Sequence, residues 1–274
     1  MLNFGLKGKT VVVTGGASGI GRATVDALVG DGAKVAIVDL EQESIDACVK
    51  ELKDGGADAI GFAADVRDED AVVRVAGEID SAFGPIYGLV ACAGTSAAAP
   101  AENHSAEDWS RVLDVNALGM FLTCKVFGKY MLEAGEGAVV CIGSTDGLGA
   151  QPARIAYNAS KFAVNGIVKT LALEWGRHNV RVNCIAPTVI DTPLVRRGLP
   201  QNFLDLVSDR TPMVRMGQGS DIAKPVLMLL SDAASFITGI VMPVDGGLTT
   251  GWFTRKHGAD LCSKRLLEAG VYEE

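Results

Sequence analysis

Three side chains in the middle of the chain have types and spacings that could together move a proton. Ser144 follows an apolar run, and Tyr157 and Lys161 stand four residues apart in a segment of helical spacing. Residues four apart on a helix share one face. A phenol, whose ordinary pKa is about 10, is a poor base at neutral pH, but a neighbouring ammonium stabilises the phenolate. We therefore predict that Tyr157 exchanges a proton with a substrate whose oxygen is held by Ser144.

A glycine-rich turn near the N-terminus could hold the phosphates of a cofactor. Residues 14–21 read TGGASGIG and stand between the first apolar run and a segment of helical spacing. Glycines permit a tight turn and a close approach of backbone amides to a pyrophosphate, and the N-terminus of the next helix attracts its charge. Such glycines also occur in ordinary turns, but their position between a strand and a helix favours dinucleotide binding.

The end of the second apolar run favours NAD over NADP. Asp39 stands there, about twenty residues after the glycine turn, where a dinucleotide fold places its ribose-binding acid. A carboxylate accepts hydrogen bonds from both ribose hydroxyls of NAD and repels the 2′-phosphate of NADP. Ser18 adds no cation for that phosphate, whereas Arg22 is either such a cation or a solvated helical residue. The alternative for Asp39 is a simple strand-to-helix turn residue.

These residues must be positioned by an alternation of short strands and longer helices. The β-branched runs that predict strands are 10–13, 34–38, 59–63, 86–91, 137–142, 180–185 and 239–244. The segments that predict helices are 20–29, 41–52, 70–83, 106–132 and 155–175. Because most of the runs are apolar throughout, we expect strands that are covered on both faces. The pattern predicts an α/β fold of the Rossmann type, a doubly wound sheet of about seven parallel strands with helices on both faces.

The composition indicates one domain. The 274 residues contain no linker and no repeat of fixed period. We predict a catalytic, dinucleotide-binding domain over 1–247, with a substrate lid near 192–218 that is rich in Pro, Gly and Arg. Residues 248–274 form an extension that we expect to pack on its own subunit or on a neighbour, because Trp252 and Phe253 are unlikely to be left in water.

Charge and cysteine content exclude several classes of protein. A net charge of −8 argues against binding to a nucleic-acid backbone or to an anionic membrane surface. The six cysteines are widely spaced and form no CxxC pair, which indicates reduced thiols and no metal site. We find no apolar stretch of the length of a signal peptide or a membrane span, and we expect a cytoplasmic protein.

The motifs, taken in their order, resemble those of the short-chain dehydrogenase/reductase family in its single-domain form. The resemblance runs from Leu6 to about Gly247. The matching motifs are the glycine turn 14–21, Asp65 and Val66, Asn116 in LDVN, Ser144, and the segment YNASK at 157–161. Each motif alone is uninformative, but all of them together are specific.

The resemblance implies a role for each matching residue. Tyr157 resembles the general acid and base, Lys161 the residue that tunes it and binds the nicotinamide ribose, and Ser144 the residue that stabilises the substrate oxygen. Asn116 resembles the residue that kinks its helix and holds a water in a proton relay through Lys161. The residues implied to bind the cofactor are Gly15, Ser18, Gly19, Ile20, Gly21, Asp39, Leu40, Asp65, Val66, Ala93, Gly94, Tyr157, Lys161, Pro187, Ile190 and Thr192.

Two positions depart from the family pattern. The segment ACAG at 91–94 lacks the two asparagines that usually precede its Ala-Gly, which puts the local support of the strands in doubt. Thr188 replaces the glycine that usually follows Pro187, so that a side chain there could narrow the pocket beside the nicotinamide or contact the substrate.

The substrate pocket is expected over the carboxyl ends of the strands. The candidate lining positions are 145–154 and 188–189, and the candidate substrate residues among them are Gln151, Arg154, Thr188 and Val189. An apolar near wall is predicted from Leu148, Ala150, Pro152 and Val189. Arg154, Arg196 and Arg197 could grip a carboxylate or phosphate, but we favour solvated arginines on a loop and lid. The basic cluster at 255–257 of the extension could reach the pocket or be merely solvated.

These observations favour an NAD-dependent oxidoreductase that interconverts a secondary alcohol and a ketone, with a small-molecule substrate and no metal. One alternative is a non-catalytic NAD-binding regulatory module, against which Ser144, Tyr157 and Lys161 argue together. Another is an epimerase or dehydratase with the same Tyr-Lys chemistry, although such chains are usually longer. The family resemblance also implies a homotetramer built from the helices 106–132 and 155–175 and the last strand.

Overall fold

One sheet of seven parallel strands forms the centre of the computed structural model, which describes residues 3–198, 200–251 and 268. The strands are β1 (Thr10–Thr14), β2 (Lys34–Asp39), β3 (Ala59–Ala63), β4 (Ile86–Ala91), β5 (Gly137–Ile142), β6 (Val180–Pro187) and β7 (Val241–Val244). Their order across the sheet is β3-β2-β1-β4-β5-β6-β7. The predicted doubly wound parallel sheet is confirmed.

Helices cover both faces of the sheet. They are α1 (Gly19–Gly30), α2 (Gln42–Asp54), α3 (Glu69–Phe83), α4 (Ala106–Leu113), α5 (Met120–Ala134), α6 (Ile155–Trp175), α7 (Pro193–Gly198), α8 (Gln201–Arg210) and α9 (Gly219–Leu230). One apolar layer joins α1, α2 and α9 to the sheet, and a second joins α3, α5 and α6 to its other face. Because both faces are buried, the strands carry apolar residues continuously rather than in alternation.

The sheet reverses its winding between β1 and β4, which are neighbours. In open α/β sheets such a switch point leaves a crevice at the carboxyl ends of the strands. Here the turn after β1 comes very close to the turn after β4. An ideal Cβ at Gly15, where φ is +66°, would lie only 2.9 Å from the backbone nitrogen of Ala93. Only glycine fits this position, because both the conformation and the space exclude a side chain.

The segment predicted as one helix over 106–132 is continuous but not uniform. The α-helical turns of α4 end at Leu113, a π-helical segment spans Asp114–Gly119, and α5 follows. A π turn inserts one extra residue and is frequent at functional sites. Asn116 lies in this segment. An ideal Cβ at Gly119 would lie 2.6 Å from Val66 Cγ2, so the glycine lets the helix approach the loop after β3.

The ends of the elements agree with the predicted ones within two residues. The last strand begins at Val241 rather than at residue 239, because Gly239 adopts a φ of +77° that a strand does not permit. The predictions for the extension at Trp252, Phe253 and 255–257 lie outside the described residues. Within the described part of the chain, no helix is long and apolar enough to cross a membrane.

Candidate active site

A cavity of about 680 Å³ opens at the carboxyl ends of the strands. Its size lies within the range of about 300–1,000 Å³ that is usual for small-molecule sites. Every residue predicted to bind the cofactor lines it, and so do Ser144 and the four substrate candidates. Asn116 is the exception among the predicted site residues, because its side chain is fully buried behind the wall.

The glycine turn forms a cradle that excludes side chains. An ideal Cβ at Gly21 would lie 2.0 Å from the backbone oxygen of Gly15. Asp39 supports this turn, because its Oδ2 accepts a hydrogen bond from the Ala17 amide at 3.0 Å while its Oδ1 accepts one from the Leu40 amide at 2.8 Å. Backbone amides at the start of α1 therefore border the cavity without obstruction. This arrangement fits a dinucleotide.

The cation nearest to this cradle in sequence, Arg22, is engaged elsewhere. Its Nε donates to Asp26 at 2.8 Å, and its Nη2 pairs with Glu51 at 2.9 Å. These partners raise the pKa of Arg22 above its ordinary value, although burial opposes the shift. Arg22 does not line the cavity. The interpretation of Arg22 as a phosphate ligand is therefore not supported.

The wall near the end of β3 contains an ion pair that the sequence did not indicate. Arg67 Nε donates to both carboxylate oxygens of Asp65 at 2.9 Å. The guanidinium holds the pKa of Asp65 below its ordinary value. Both residues line the cavity, and Val66 between them packs against Gly119. Arg67 thus orients the carboxylate that the family resemblance assigns to the adenine.

The group predicted to move a proton lies at the other end of the cavity. Lys161 is only 5% exposed, and its Nζ donates to the Ile142 backbone oxygen at 2.9 Å. The same Nζ lies 5.5 Å from the centre of the Tyr157 ring. Ser144 Oγ accepts a hydrogen bond from the Asp146 amide at 3.0 Å. Since this bond uses only an acceptor site, the Ser144 hydroxyl can still donate to a ligand.

Asn116 connects the loop after β4 with helix α6. Its Oδ1 accepts from the Thr95 amide at 2.8 Å, and its Nδ2 donates to the Thr95 oxygen and to Ser160 Oγ, both at 2.9 Å. Ser160 Oγ in turn donates to the Tyr157 backbone oxygen at 2.7 Å. Asn116 is therefore linked to the Tyr157 segment through Ser160. The predicted water relay to Lys161 stays a prediction.

The end of the cavity beside Tyr157 differs from the apolar wall that the sequence predicted. Val189 lines the cavity, but Leu148, Ala150 and Pro152 are exposed and do not. The prediction is wrong for these three because the loop after the Thr145–Gly147 turn directs them to solvent. Arg196 is exposed, as favoured, pairs with Asp191 at 2.6 Å and does not line the cavity. Arg154 lines the cavity and has a buried Nε, so the favoured solvated arginine is wrong at this position.

Two charged residues border this end instead. Asp146 is 7% exposed, and burial raises the pKa of its carboxyl, although Arg154 and Lys161 oppose the shift. The Arg154 guanidinium carbon lies 4.7 Å from the centre of the Tyr157 ring. Asp146 fell within the candidate stretch 145–154, but no motif or pattern in the sequence indicated a separate role for it. Its position two residues after Ser144, in the turn after β5, was the available clue.

Known proteins resemble the chain over most of its length. Residues 15–249 match a family described as enoyl-(acyl carrier protein) reductase. A D-threitol dehydrogenase from Mycolicibacterium smegmatis is 42% identical over 247 residues, which cover 90% of this chain and 95% of the relative. A galactitol 2-dehydrogenase from Rhizobium johnstonii is 37% identical, and the alignment covers 90% of this chain and 97% of the relative.

A solved dehydrogenase structure also resembles the chain over most of its length. The gluconate 5-dehydrogenase from Burkholderia cenocepacia, in complex with NADP and tartrate, is 30% identical and superposes with a TM-score of 0.88. The superposition covers 91% of this chain and 98% of the solved chain. The relatives are named as dehydrogenases, which supports an oxidoreductase with a nicotinamide cofactor. With its parallel sheet, glycine cradle and Ser-Tyr-Lys group, the chain belongs to the short-chain dehydrogenase/reductase family.

Proposed function

We propose that the protein is an NAD-dependent oxidoreductase that interconverts a secondary alcohol and a ketone, with Tyr157 as general acid and base. The observation that carries the proposal is the position of Tyr157 and Lys161 at one end of a cavity whose other end is the glycine cradle. The D-threitol and galactitol dehydrogenases among the relatives support a reaction at a CH–OH group.

The roles follow from the contacts of each side chain. In the direction of oxidation, the Tyr157 oxygen takes the hydroxyl proton of the alcohol. A nicotinamide cofactor held by the glycine cradle and Asp39 would supply the acceptor for the hydride of the alcohol carbon. Ser144 donates a hydrogen bond to the substrate oxygen, and the buried Lys161 ammonium stabilises negative charge on the phenol. In the direction of reduction, Tyr157 returns the proton to the oxygen.

The proposal of NAD rests on Asp39. Its carboxylate lines the cavity beside the cradle, and the nearby Arg22 is paired with Asp26 and Glu51. A 2′-phosphate would therefore meet a negative charge without a free cation from α1. The relative from Burkholderia cenocepacia was solved with NADP, so likeness to relatives does not by itself favour NAD.

The segment 192–218 is proposed as the substrate lid of a single domain. It contains α7 and α8, and Thr192, Pro193 and Val195 at its start line the cavity. Its two ends are joined, because the Asp191 amide donates to the Gly217 oxygen at 2.8 Å. Such a closed base allows the segment to move as a unit over the pocket.

The homotetramer is likewise proposed. Trp109 on α4, Phe121 on α5 and Phe162 on α6 are large apolar side chains that the single chain leaves exposed. Burial in a contact between copies would remove these side chains from water. The expected result is a particle of four times the 28.5 kDa chain mass, measured by light scattering during gel filtration. A monomer at micromolar concentration would contradict the proposal.

The direct test of the function is Tyr157→Phe. A panel of secondary alcohols is incubated with NAD, and NADH is followed by its absorbance. Loss of general acid–base catalysis is expected to lower kcat by about 10²–10⁴-fold. Tyr130→Phe is the matched control, since Tyr130 packs against the core away from the cavity. Turnover that survives Tyr157→Phe would contradict the mechanism, whereas an epimerase, a dehydratase or a regulatory module would accumulate no NADH.

A further inference from the structure

Asp146 is a carboxylate at the cavity wall whose side chain has no hydrogen-bonding partner among the described residues. Its amide donates to Ser144 Oγ, but within the described residues no donor to its carboxylate oxygens lies within hydrogen-bonding distance. The side chain is 7% exposed and lines the cavity. A buried carboxylate normally has hydrogen-bond donors, because burial removes its hydration. The donors that suit Asp146 are therefore those of a ligand in the cavity.

The turn that carries Asp146 is fixed against α6. An ideal Cβ at Gly147 would lie 2.8 Å from the Lys161 backbone oxygen, so the two segments are in close contact. Asn165 Nδ2 also donates to the Gly147 oxygen at 2.8 Å. The position of the Asp146 carboxylate is thus set by the same helix that carries Tyr157 and Lys161.

Arg154 supplies hydrogen-bond donors near the Asp146 carboxylate. Arg154 is partly exposed and lines the cavity, while its Nε is buried and has no hydrogen-bond acceptor in the described structure, so the guanidinium N–H groups that face the cavity are the ones open to a ligand. Arg154 and Asp146 influence each other electrostatically, yet no ion pair of 4.0 Å or less joins them. Its guanidinium lies over the Tyr157 ring. One end of the cavity therefore offers an acceptor and a donor, both beside the groups that would hold the reacting oxygen.

These two groups limit the chemistry of the substrate. A substrate carboxylate would pair with Arg154 but be repelled by Asp146, and a substrate ammonium would pair with Asp146 but be repelled by Arg154 and Lys161. A purely apolar substrate would leave both groups without hydrogen-bonding partners. A hydroxyl group is both donor and acceptor and satisfies Asp146 and Arg154 at once.

We infer that Asp146 and Arg154 form a subsite for a second hydroxyl beside the reacting one, so that the substrates are neutral vicinal diols or polyols. This inference rests on the proposed function, because it concerns the same cavity. Asp146 accepts the hydrogen bond of the second hydroxyl, and Arg154 donates one to its oxygen. We place the second hydroxyl on the carbon next to the reacting carbon, because Asp146 and Ser144 belong to one short turn in which the Asp146 amide donates to Ser144 Oγ at 3.0 Å.

The test compares four-carbon and three-carbon alcohols that differ in the neighbouring group. The set consists of butane-2,3-diol, butan-2-ol, 3-aminobutan-2-ol and lactate, each assayed with NAD for kcat/KM. We expect the wild-type protein to prefer the diol to butan-2-ol by about 10- to 100-fold, the effect of one hydrogen bond to a charged group. Asp146→Leu is expected to remove most of this preference, and Asp146→Asn, which keeps the shape and one acceptor, to reduce it less.

Asp58→Asn is the control, since Asp58 is exposed and lies outside the cavity, and it should leave the preference unchanged. Circular dichroism of each variant verifies the fold, and the diol preference is a ratio that a general loss of folded protein would not alter. Equal turnover of the diol and butan-2-ol, unaltered in both Asp146 variants, would overturn the subsite alone. Preference for lactate or the amino alcohol would also overturn it. Absence of turnover for every alcohol would overturn the proposed function.

Discussion

Replacing Asp39 by serine should reverse the choice between NAD and NADP. The Asp39 carboxylate lies at the end of β2, where it accepts the Ala17 amide of the glycine turn at 3.0 Å. Arg22 is occupied by Asp26 and Glu51 and does not line the cavity. Within the described residues, no cation pairs with the Asp39 carboxylate, which lies where the adenine ribose of a dinucleotide would lie. Serine keeps a hydroxyl for the ribose but removes the charge.

The size of the effect follows from Coulomb's law. Two unit charges about 4 Å apart interact by about 4 kcal/mol at an effective dielectric constant of about 20. Asp39 is partly exposed, so that solvent reduces the repulsion of a 2′-phosphate to about 2–3 kcal/mol. This range corresponds to roughly a 30- to 150-fold gain in kcat/KM for NADP. The loss of a charge-assisted hydrogen bond to the ribose should lower kcat/KM for NAD by at least about 10-fold.

The assay follows the reduced cofactor at 340 nm with one alcohol and either cofactor at concentrations below KM. Glu41→Gln is the matched control, because Glu41 is an exposed acid two residues further along that does not line the cavity. Thermal unfolding shows whether the glycine turn tolerates the loss of the bond to Ala17. A wild-type protein that uses NADP as well as NAD would refute the reasoning, and so would an unchanged NADP/NAD ratio in Asp39→Ser.

Two further predictions concern stability, measured as the free energy of unfolding in urea at one protein concentration. Gly128→Ala should destabilise the protein by about 1–3 kcal/mol through overpacking, because an ideal Cβ would lie 2.4 Å from Trp175 Cη2 in the core. Gly77→Ala is the control on α3, where the nearest atom is 3.8 Å away, and should stabilise by about 0.5–1 kcal/mol; effects of equal sign would contradict the packing argument. Asp146→Asn should stabilise the protein more at pH 8 than at pH 4. Burial raises the pKa of Asp146 above its ordinary 3.8, so the folded state binds the proton more tightly and wild-type stability is lost as the pH rises through the folded-state pKa. A difference that does not depend on pH would show that the carboxylate is not desolvated.

The fold could be predicted from the sequence because its elements have distinct local patterns. Strands that are buried on both faces are continuous apolar runs, so their bounds were predicted within two residues. The π turn at Asp114–Gly119 was not predicted as such, because its residues keep helical spacing on both sides. What selects the wide turn is a set of distant contacts. Asn116 bonds to Thr95 and to Ser160, which are 21 and 44 residues away in sequence.

The two ends of the cavity were not equally predictable, and the physical reason lies in what builds each end. The end with the glycine cradle is made by backbone, so its requirement for glycine at positions such as Gly15 and Gly21 is visible within a few residues. The end beside Tyr157 is made by side chains whose burial depends on tertiary contacts. Leu148 and Asp146 belong to the same short loop, and composition alone favours the apolar residue as the wall.

The contact between Gly147 and the backbone of Lys161 reverses that expectation, since it buries Asp146 beside the cavity and leaves Leu148 in solvent. Burial of a carboxylate costs free energy unless a ligand or a neighbour supplies donors. Such a carboxylate, two residues from Ser144, supports the proposal of a substrate that brings its own hydrogen-bond donor. The neighbouring hydroxyl of a diol meets this requirement, whereas the hydrocarbon chain of a simple secondary alcohol does not.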